Sequence, residues 1–537
     1  MPAVPNTALP PLIAALMDAR RYPRAVETVE RVETHISWVL LAGEYAYKIK
    51  KPLALGFLDF STLEARRYYC QEELRLNRAT APQLYLEVLP ITGSDTAPVF
   101  GGAGPPIEYA LKMRRFSQEA LLDRVAQRGE LDTGLVDRLA ATVAAFHANA
   151  AIAGAGGSHG TPAGIIGPAR ENFGQIAGLA PSAAGAAQLD RLRAWTEAAS
   201  ARLEPTFAAR KADGRVRECH GDLHLGNIAL IDDKPVPFDC IEFNPEFRWI
   251  DVMSEIAFLV MDLLDRDLAA PAWRCLNRYL EISGDYDGVA VLRYYLVYRA
   301  MVRAKVALIH ARQNVTGAVR RDEEKTFLHH LRLAQSLASP GHPALVLMHG
   351  LSASGKTTVA QTLVEALGAL RVRSDLERKR FFGLAADAPG NSTVGGGLYD
   401  DKISRRTYER LAGVAGLALR SGWRVIVDAT SLRRQQRDAF RQIARAMAVP
   451  FVIVSCSAAD AVLRERLAQR RAAGEDASEA TIEVLEHQFA AQHPLGADEL
   501  AETVMVGQPE AVASEIAARV RSRLAAATAA LQLNAVR

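Results

Sequence analysis

Residues 344–357 narrow most sharply the folds open to this chain. Ala344-Leu345-Val346-Leu347-Met348 is an unbroken apolar run, the composition of a strand buried on both faces of a parallel sheet. It enters Gly350-Leu351-Ser352-Ala353-Ser354-Gly355-Lys356-Thr357, and apolar residues then recur at helical spacing. The pattern G-x-x-x-x-G-K-T between a strand and a helix builds a phosphate cradle. Its glycines let backbone amides approach phosphate oxygens, Lys356 reaches the outer pair, and the Thr357 hydroxyl suits a magnesium ion. Gly350, Ser352, Ser354, Gly355, Lys356, Thr357 and Thr358 are therefore the expected nucleotide-binding residues of an α/β domain with a parallel sheet.

The residues that follow narrow the chemistry. Ser374-Asp375-Leu376-Glu377-Arg378 comes after a second strand, and its D-x-x-R resembles the acceptor site of polynucleotide kinases and related small kinases. The resemblance implies that Asp375 activates an acceptor hydroxyl and Arg378 binds an acceptor or transferred phosphate. Arg424-Val425-Ile426-Val427-Asp428 is a third apolar strand, ending in the carboxylate of a Walker B-type magnesium contact. Arg464, Arg466 and Arg470 recur near Ala473-Gly474, similar to the arginine-bearing lid of nucleoside- and gluconate-kinase relatives; a solvated helix face is the competing expectation.

The first half carries a different phosphoryl-transfer signature. His220-Gly221-Asp222-Leu223-His224-Leu225-Gly226-Asn227 has the spacing H-x-D-x-x-x-x-N, in which the carboxylate takes the acceptor proton and the Asn carbonyl holds a metal. Asp239, a short strand-turn downstream, supplies the second metal carboxylate. Upstream, Ile36 to Lys50 alternates through a hairpin, and Ala46-x-Lys48 has the A-x-K form of a phosphate-gripping strand. Ser61-x-x-Glu64 reads as a capping box opening a helix to about Ala79. Its positions 66, 70, 73 and 77 share a face, so Glu73 is the expected partner of Lys48, while Glu72 points away.

The octapeptide resembles the catalytic loop of the aminoglycoside phosphotransferase and choline kinase family, a branch of the protein-kinase-like fold. No G-x-G-x-x-G precedes Lys48, so the phosphate-covering loop falls to Glu33-Thr34-His35-Ile36-Ser37. A zinc site on His220, Asp222 and His224 is the rival reading, and a lone His147 reads as packed. Taken whole, the chain resembles bacterial bifunctional aminoglycoside phosphotransferase/ATP-binding proteins. That resemblance implies an α+β bilobal kinase-like domain over 1–336, a linker at 337–343, and a P-loop kinase domain over 344–537. It also implies ATP and Mg2+ as cofactors and small-molecule hydroxyls as acceptors.

Length and composition agree with this division. A chain of 537 residues is too long for one core. Sixty-four basic against 61 acidic residues leave a net charge of +3, which gives no general drive toward nucleic acid or membrane. Arg405, Arg406, Arg410, Arg433, Arg434 and Arg437 are nonetheless candidates for a phosphate-backbone track, which would make the second domain a nucleic-acid end kinase. A nucleotide-sensing first domain that regulates the second is a further alternative. Five scattered cysteines without a C-x-x-C pair, and no long apolar run, point to a cytoplasmic protein with no membrane span. The Gly- and Pro-rich stretch from Ala153 to Gly174 reads as a long surface loop, which with residues 386–400 would shape the acceptor pockets. Oligomeric state leaves no signature in the sequence.

Overall fold

A computed structural model describes residues 9–24, 26–55, 58–179, 185–313, 317–384, 401–473, 481–507 and 513–536. These fall into two compact units: Met1–Asp262 with Tyr294–Gln335, and Leu263–Arg293 with Ser336–Arg537. The proposed acceptor loop 386–400 and the turn at Gly474 lie outside the described residues.

The first unit opens on an antiparallel six-stranded sheet. Its spatial order is Val29–Glu33, Ser37–Ala42, Tyr45–Lys50, Glu108–Arg114, Tyr85–Ser94 and Ala97–Phe100. The expected hairpin is present, with Val39 opposite Lys48 and Ser37 opposite Lys50. One face buries Leu40, Tyr47, Ile49, Ile91 and Ala110 against Ile13 and Leu16 of the short Pro11–Leu16 helix. The helix Leu63–Asn77 turns Arg66, Cys70, Glu73 and Asn77 inward, the i, i+4, i+7, i+11 face read from the sequence. Its cap is Thr62, whose hydroxyl accepts from the Ala65 amide at 3.1 Å, and not Ser61 as the capping-box pattern implied.

The rest of this unit is mainly helical: Thr133–Asn149, Pro162–Leu179, Ala186–Ala212, Val252–Asp265, Val289–Gln313 and Gly317–Ala338. The expectation of a loop over 153–174 is corrected, because a helix begins at Pro162. Its Gly and Pro content is unfavourable for a helix. However, Ile166, Ala169, Phe173 and Ile176 lie on one buried face, and burial outweighs a propensity cost of under about 1 kcal/mol per glycine. Among these helices run two short antiparallel ribbons. Val216–Glu218 pairs with Trp249–Asp251, and Ile228–Ile231 pairs with Lys234–Pro237. They carry the segment from His220 to Asp239.

The second unit is built on a five-stranded, wholly parallel sheet. Its order is Leu370–Arg373, Arg424–Asp428, Ala344–His349, Phe451–Cys456 and Thr503–Val506. Strands rich in Val, Ile and Leu pack against the helices Lys356–Leu367 and Ala513–Val536 and against Asp401–Arg420 and Arg434–Ala446, in keeping with the two-sided burial of a parallel sheet. No described helix is long and apolar enough to cross a membrane.

A linear division near residue 337 misses one part of this unit. The helix Ala269–Ser283 precedes the linker by more than fifty residues, yet belongs with the parallel sheet. Asn277 mimics a neighbouring strand: its Nδ2 donates to Ala369 O at 2.9 Å and its Oδ1 accepts from Arg371 N at 2.6 Å. Trp273 packs on the sheet-helix core and meets Trp423 edge-on, ring centres 5.8 Å apart. Trp273→Ala should therefore destabilise the second unit by on the order of 2 kcal/mol, part of the usual cost of deleting a buried aromatic. Hydrogen exchange is the test: amides of Ala344–His349 and Leu370–Arg373 should exchange faster, and those of Tyr45–Lys50 should keep the parent rate.

Candidate active sites

In the first unit five charged side chains from three segments converge. Lys48 Nζ donates to Glu73 Oε1 at 2.7 Å and to Asp239 Oδ1 at 2.6 Å. Lys50, two residues along the same strand face, donates to Glu73 Oε2 at 2.6 Å and to Glu242. Glu73 is wholly buried, and Lys50 and Glu242 nearly so. Burial alone would depress the Lys48 ammonium, but Asp239, Glu73 and Glu242 hold it well above its usual range. Burial likewise opposes ionisation of Glu73, and the two lysines overcome it, taking its carboxyl down to about 2. Lys48, Glu73 and Asp239 thus meet as expected; Lys50 and Glu242 were not anticipated. Period two did put Lys50 on the Lys48 face, but nothing in the sequence tied either residue to Glu242. Glu72 is not simply turned to solvent, since it pairs with Arg75 and Arg248.

The segment from His220 to Asn227 hangs from a buried carboxylate. Glu255 accepts from the amides of His220 at 3.0 Å and Gly221 at 2.6 Å, and bonds His147 Nε2 at 2.9 Å. Asp262, two turns along the same helix, accepts from the Leu225 amide at 2.9 Å. Arg299 Nη1 donates to the Gly221 carbonyl at 3.1 Å. Gly221 has φ near 90°, and a Cβ there would lie 2.8 Å from Phe247 O, so only glycine fits between His220 and Asp222.

With the loop pinned, Asn227 Nδ2 donates to Asp222 O at 3.0 Å and Oδ2 at 3.1 Å, which leaves Asn227 Oδ1 as the atom for a cation. Burial would raise the Asp222 carboxyl, but His224, with Nε2 3.5 Å away, and more distant Arg303 and His220 hold it below the usual carboxylate range. Asp222 is thus held in its ionised form. Asp239 sits at φ 64°, a conformation costly for a non-glycine residue and concentrated at functional sites. The Tyr85 hydroxyl accepts from its amide at 3.0 Å.

The zinc alternative is not supported by these positions. His220 Nε2 is engaged with Phe238 O at 2.7 Å, and among the described residues the grouping with metal-ligand spacing is His147, Cys219 and Glu255. There Glu255 already carries the loop amides, so His147 is a packed structural residue, as expected.

In the second unit, Gly350 has φ 137°, and a Cβ on it would lie 2.2 Å from Cys456 O. Ala353 at φ 65° and Gly355 at φ 90° complete a left-handed loop that opens the helix Lys356–Leu367. Lys356 Nζ donates to Leu351 O at 2.6 Å. Gln488, absent from the sequence-based set, bonds both the Ser352 amide at 2.8 Å and the Ser352 hydroxyl at 2.9 Å. Ser354 Oγ and Asp428 Oδ2 are buried without a hydrogen bond among the described residues, and Arg373 Nε stands 3.8 Å from that carboxylate oxygen. An orphaned carboxylate oxygen at a strand end, near the Thr357 helix, is a donor set that fits magnesium. Thr357 and Thr358 occupy the first turn of that helix.

Asp375 and Arg378 fall on the helix Ser374–Phe381, 3.6 Å apart. Arg466 reaches the phosphate loop, Nη1 to Ala353 O at 3.4 Å. Arg464 instead pairs with Asp460 and Glu486, and the Arg470 side chain lies outside the described residues. Of the six arginines read as a possible track, Arg437 is fully buried against Glu499, Arg434 pairs with Asp498, and Arg410 with Glu377, so these three side chains are engaged within the fold.

The chain is similar to several known proteins. Residues 345–495 match the family model of an AAA domain. The uncharacterized protein Rv2004c of Mycobacterium tuberculosis (strain H37Rv) is 30% identical over 448 residues, covering 83% of this chain and 87% of its own. Mb2027c of Mycobacterium bovis gives the same figures. Solved structures similar to part of the chain include a gluconokinase from Sinorhizobium meliloti, 22% identical over 36% of this chain and 98% of its own, TM-score 0.26. A choline kinase from Cryptosporidium parvum is 10% identical over 60% of this chain and 95% of its own, TM-score 0.38.

His349, the last residue of the strand entering the phosphate loop, gives the second unit a pH dependence. Burial, then the charges of Arg437 and Lys356, lower its pKa from 6.5 to about 4, and its Nδ1 bonds Ser455 Oγ at 2.9 Å. The fold thus favours the neutral ring. That contribution is complete above pH 6.5 and is lost as pH falls toward 4. Between pH 7 and 4.5 the parent should lose more thermal stability in this unit than His349→Gln. Parallel pH profiles would mean that the ring does not resist protonation.

Proposed function

The chain belongs to the same family as the mycobacterial protein Rv2004c, and we propose that it is an ATP-dependent phosphotransferase with two separate transfer sites, each acting on a hydroxyl of a small molecule. The observation that carries this reading is the convergence of Lys48, Glu73 and Asp239, with Asp222 and Asn227 held on a pinned loop in the same unit. A phosphoryl-transfer site needs a cation for the nucleotide phosphates, carboxylates for the metal, and a hydroxyl acceptor in line. Lys48 supplies the first, oriented by Glu73. Asn227 and Asp239 would hold magnesium, which neutralises phosphate charge when bound. Asp222 orients the acceptor hydroxyl and takes its proton. A purely nucleotide-sensing first unit would have no use for that last group.

In the second unit the loop Gly350–Thr357 wraps the phosphates, Lys356 and Arg466 offer positive charge, and Thr357 with Asp428 would hold magnesium. Asp375 activates the acceptor and Arg378 binds it. The engaged arginines on the helix Arg434–Ala446 favour a small acceptor over a nucleic-acid end. A phosphorylation screen of the full chain with labelled ATP, against sugars, amino alcohols, aminoglycosides, short-chain hydroxy acids and oligonucleotide 5′ ends, tests the assignment. ATP consumption without any labelled acceptor would favour a regulatory reading.

Two substitutions separate base from metal ligand in the first site. Asp222→Asn should preserve ATP affinity and slow transfer by about a hundred- to ten-thousandfold, the usual worth of a positioned acid-base group. Asp239→Asn should weaken magnesium-dependent nucleotide binding; equal loss of binding in both would reverse the roles. In the second site Asp375→Asn should keep nucleotide-induced thermal stabilisation yet lose transfer to its acceptor, whereas Lys356→Ala should lose both. Undiminished transfer in Asp375→Asn removes that residue from the chemistry.

A further inference from the structure

We infer that Gln488 is a positioning residue for the phosphate loop of the second site, fixing Ser352 so that the loop is already arched for a nucleoside triphosphate. The inference rests on the nucleotide-binding reading of that loop. Gln488 lies 136 residues beyond Ser352, on the helix Ile482–Ala491. Its carboxamide grips Ser352 twice. Oε1 accepts from the Ser352 amide at 2.8 Å, and Nε2 donates to the Ser352 hydroxyl at 2.9 Å. A carboxamide carries an acceptor and a donor side by side, so one side chain fixes both the backbone and the hydroxyl of one loop residue.

The grip matters because the loop is strained at the next residue. Ala353 has φ 65°, a left-handed conformation that a residue with a Cβ keeps only where its surroundings over-determine it. Gln488 holds the residue before it. Arg466 Nη1 donates to the carbonyl of Ala353 itself at 3.4 Å. Ala353 is also buried in a small apolar cluster with Leu463, Leu467 and Leu485, against which Leu351 and Phe489 pack. Leu463 and Leu467 belong to the helix Asp460–Ala473, Leu485 and Phe489 to the helix Ile482–Ala491, and Arg464 joins the two through Glu486 at 3.3 Å. Two helices therefore grip the tip of the loop, and Gln488 is their polar contact with Ser352. Within the loop the Gly350 amide donates to Thr430 O at 3.0 Å and the Ser354 amide to Leu351 O at 3.2 Å. With those amides and that of Ser352 satisfied by protein, the first turn of the helix Lys356–Leu367 supplies the amides for phosphate. Ser354 Oγ, buried and without a hydrogen bond among the described residues, is a further group the arch offers. A loop held in this arch binds without the ordering cost that a loose one would meet.

Hydrogen exchange in the full chain reads the two sites separately, with AMPPNP and Mg2+ as the probe. Gln488→Met keeps the side-chain length and removes both hydrogen bonds. Without nucleotide, its Ser352 amide should exchange about tenfold faster than in the parent, the scale of one lost hydrogen bond, while Ala344–His349 keeps the parent rate. The AMPPNP concentration that half-protects residues 350–358 should rise about tenfold. Protection at saturating AMPPNP should match the parent, because bound phosphate imposes the arch that Gln488 no longer holds. A merely structural role gives the other pattern, faster exchange along Ala344–His349 and incomplete protection at saturation, and that result overturns the inference. An unchanged AMPPNP midpoint overturns it as well. If Gln488→Met does not fold, Gln488→Glu decides. It keeps an acceptor for the Ser352 amide but sets a negative charge beside the loop, so Ser352 should exchange at the parent rate while the AMPPNP midpoint rises; a parental midpoint sinks the idea. The parent separates the two failures. If AMPPNP gives residues 350–358 no protection even there, the nucleotide reading of the loop falls, and the role of Gln488 falls with it.

Discussion

Burying charge in this protein is tolerable only where every charge has a partner, and the Lys48–Glu73–Lys50–Glu242 array is the place where the first unit depends on that condition. An isolated carboxylate or ammonium loses several kcal/mol on leaving water, and removing one partner of a buried pair costs about 3–5 kcal/mol. Glu73 is wholly buried between two lysines. The pairing forces three segments into one register: the strand Tyr45–Lys50, the helix Leu63–Asn77 and the segment from Asp239 to Glu242. Asn77 extends the same tie, donating to Glu73 O and accepting from the Cys240 amide. The strained backbone of Asp239 persists because its neighbours are fixed on both sides.

Below that array, a second buried carboxylate does for backbone what the first does for side chains. Glu255 gathers the amides of His220 and Gly221 and one imidazole; burial opposes its ionisation, but His147 and His220 more than offset this and hold its carboxyl below the usual range. Asp222 is therefore placed by a carboxylate it never touches. The second unit repeats the logic: Glu281 is a single buried anion among Arg371, Arg373 and Arg278, and Arg437 is a buried cation clamped by Glu499. In both units the candidate site residues are held by buried ion pairs next to them. A site that must meet mobile phosphate and metal needs that rigidity, since small misplacements of reacting groups carry large rate costs.

Much of both sites was legible in the sequence because their chemistry is local. A glycine-rich turn between a buried strand and a helix has essentially one use, and Gly350 to Thr357 form that turn. Period two put Lys48 on its face, and the 3.6-residue period put Glu73 opposite it. The helix at Pro162–Leu179 was illegible for the converse reason. Its local signals, glycines and an internal proline, favour a loop, and only the apolar contacts of Ile166, Ala169, Phe173 and Ile176 override them.

By itself the sequence determined the two classes of unit, the antiparallel α+β and the parallel α/β, and the candidate residues proposed for phosphate, metal and proton chemistry in each. Those properties follow from periodicity, from glycine's access to positive φ and from motif spacing, all of which act over a dozen residues or fewer. Only the tertiary structure decided which residues stand behind them: Lys50 with Glu242, Glu255 beneath the catalytic loop, Gln488 on the phosphate loop, and the helix Ala269–Ser283 within the second unit. Ion pairs and amide contacts between segments 34 to 192 residues apart leave no periodic trace, because either partner alone is an ordinary polar residue. What makes them specific is the cost of burying a charge without its complement, and that cost exists only once the chain has folded.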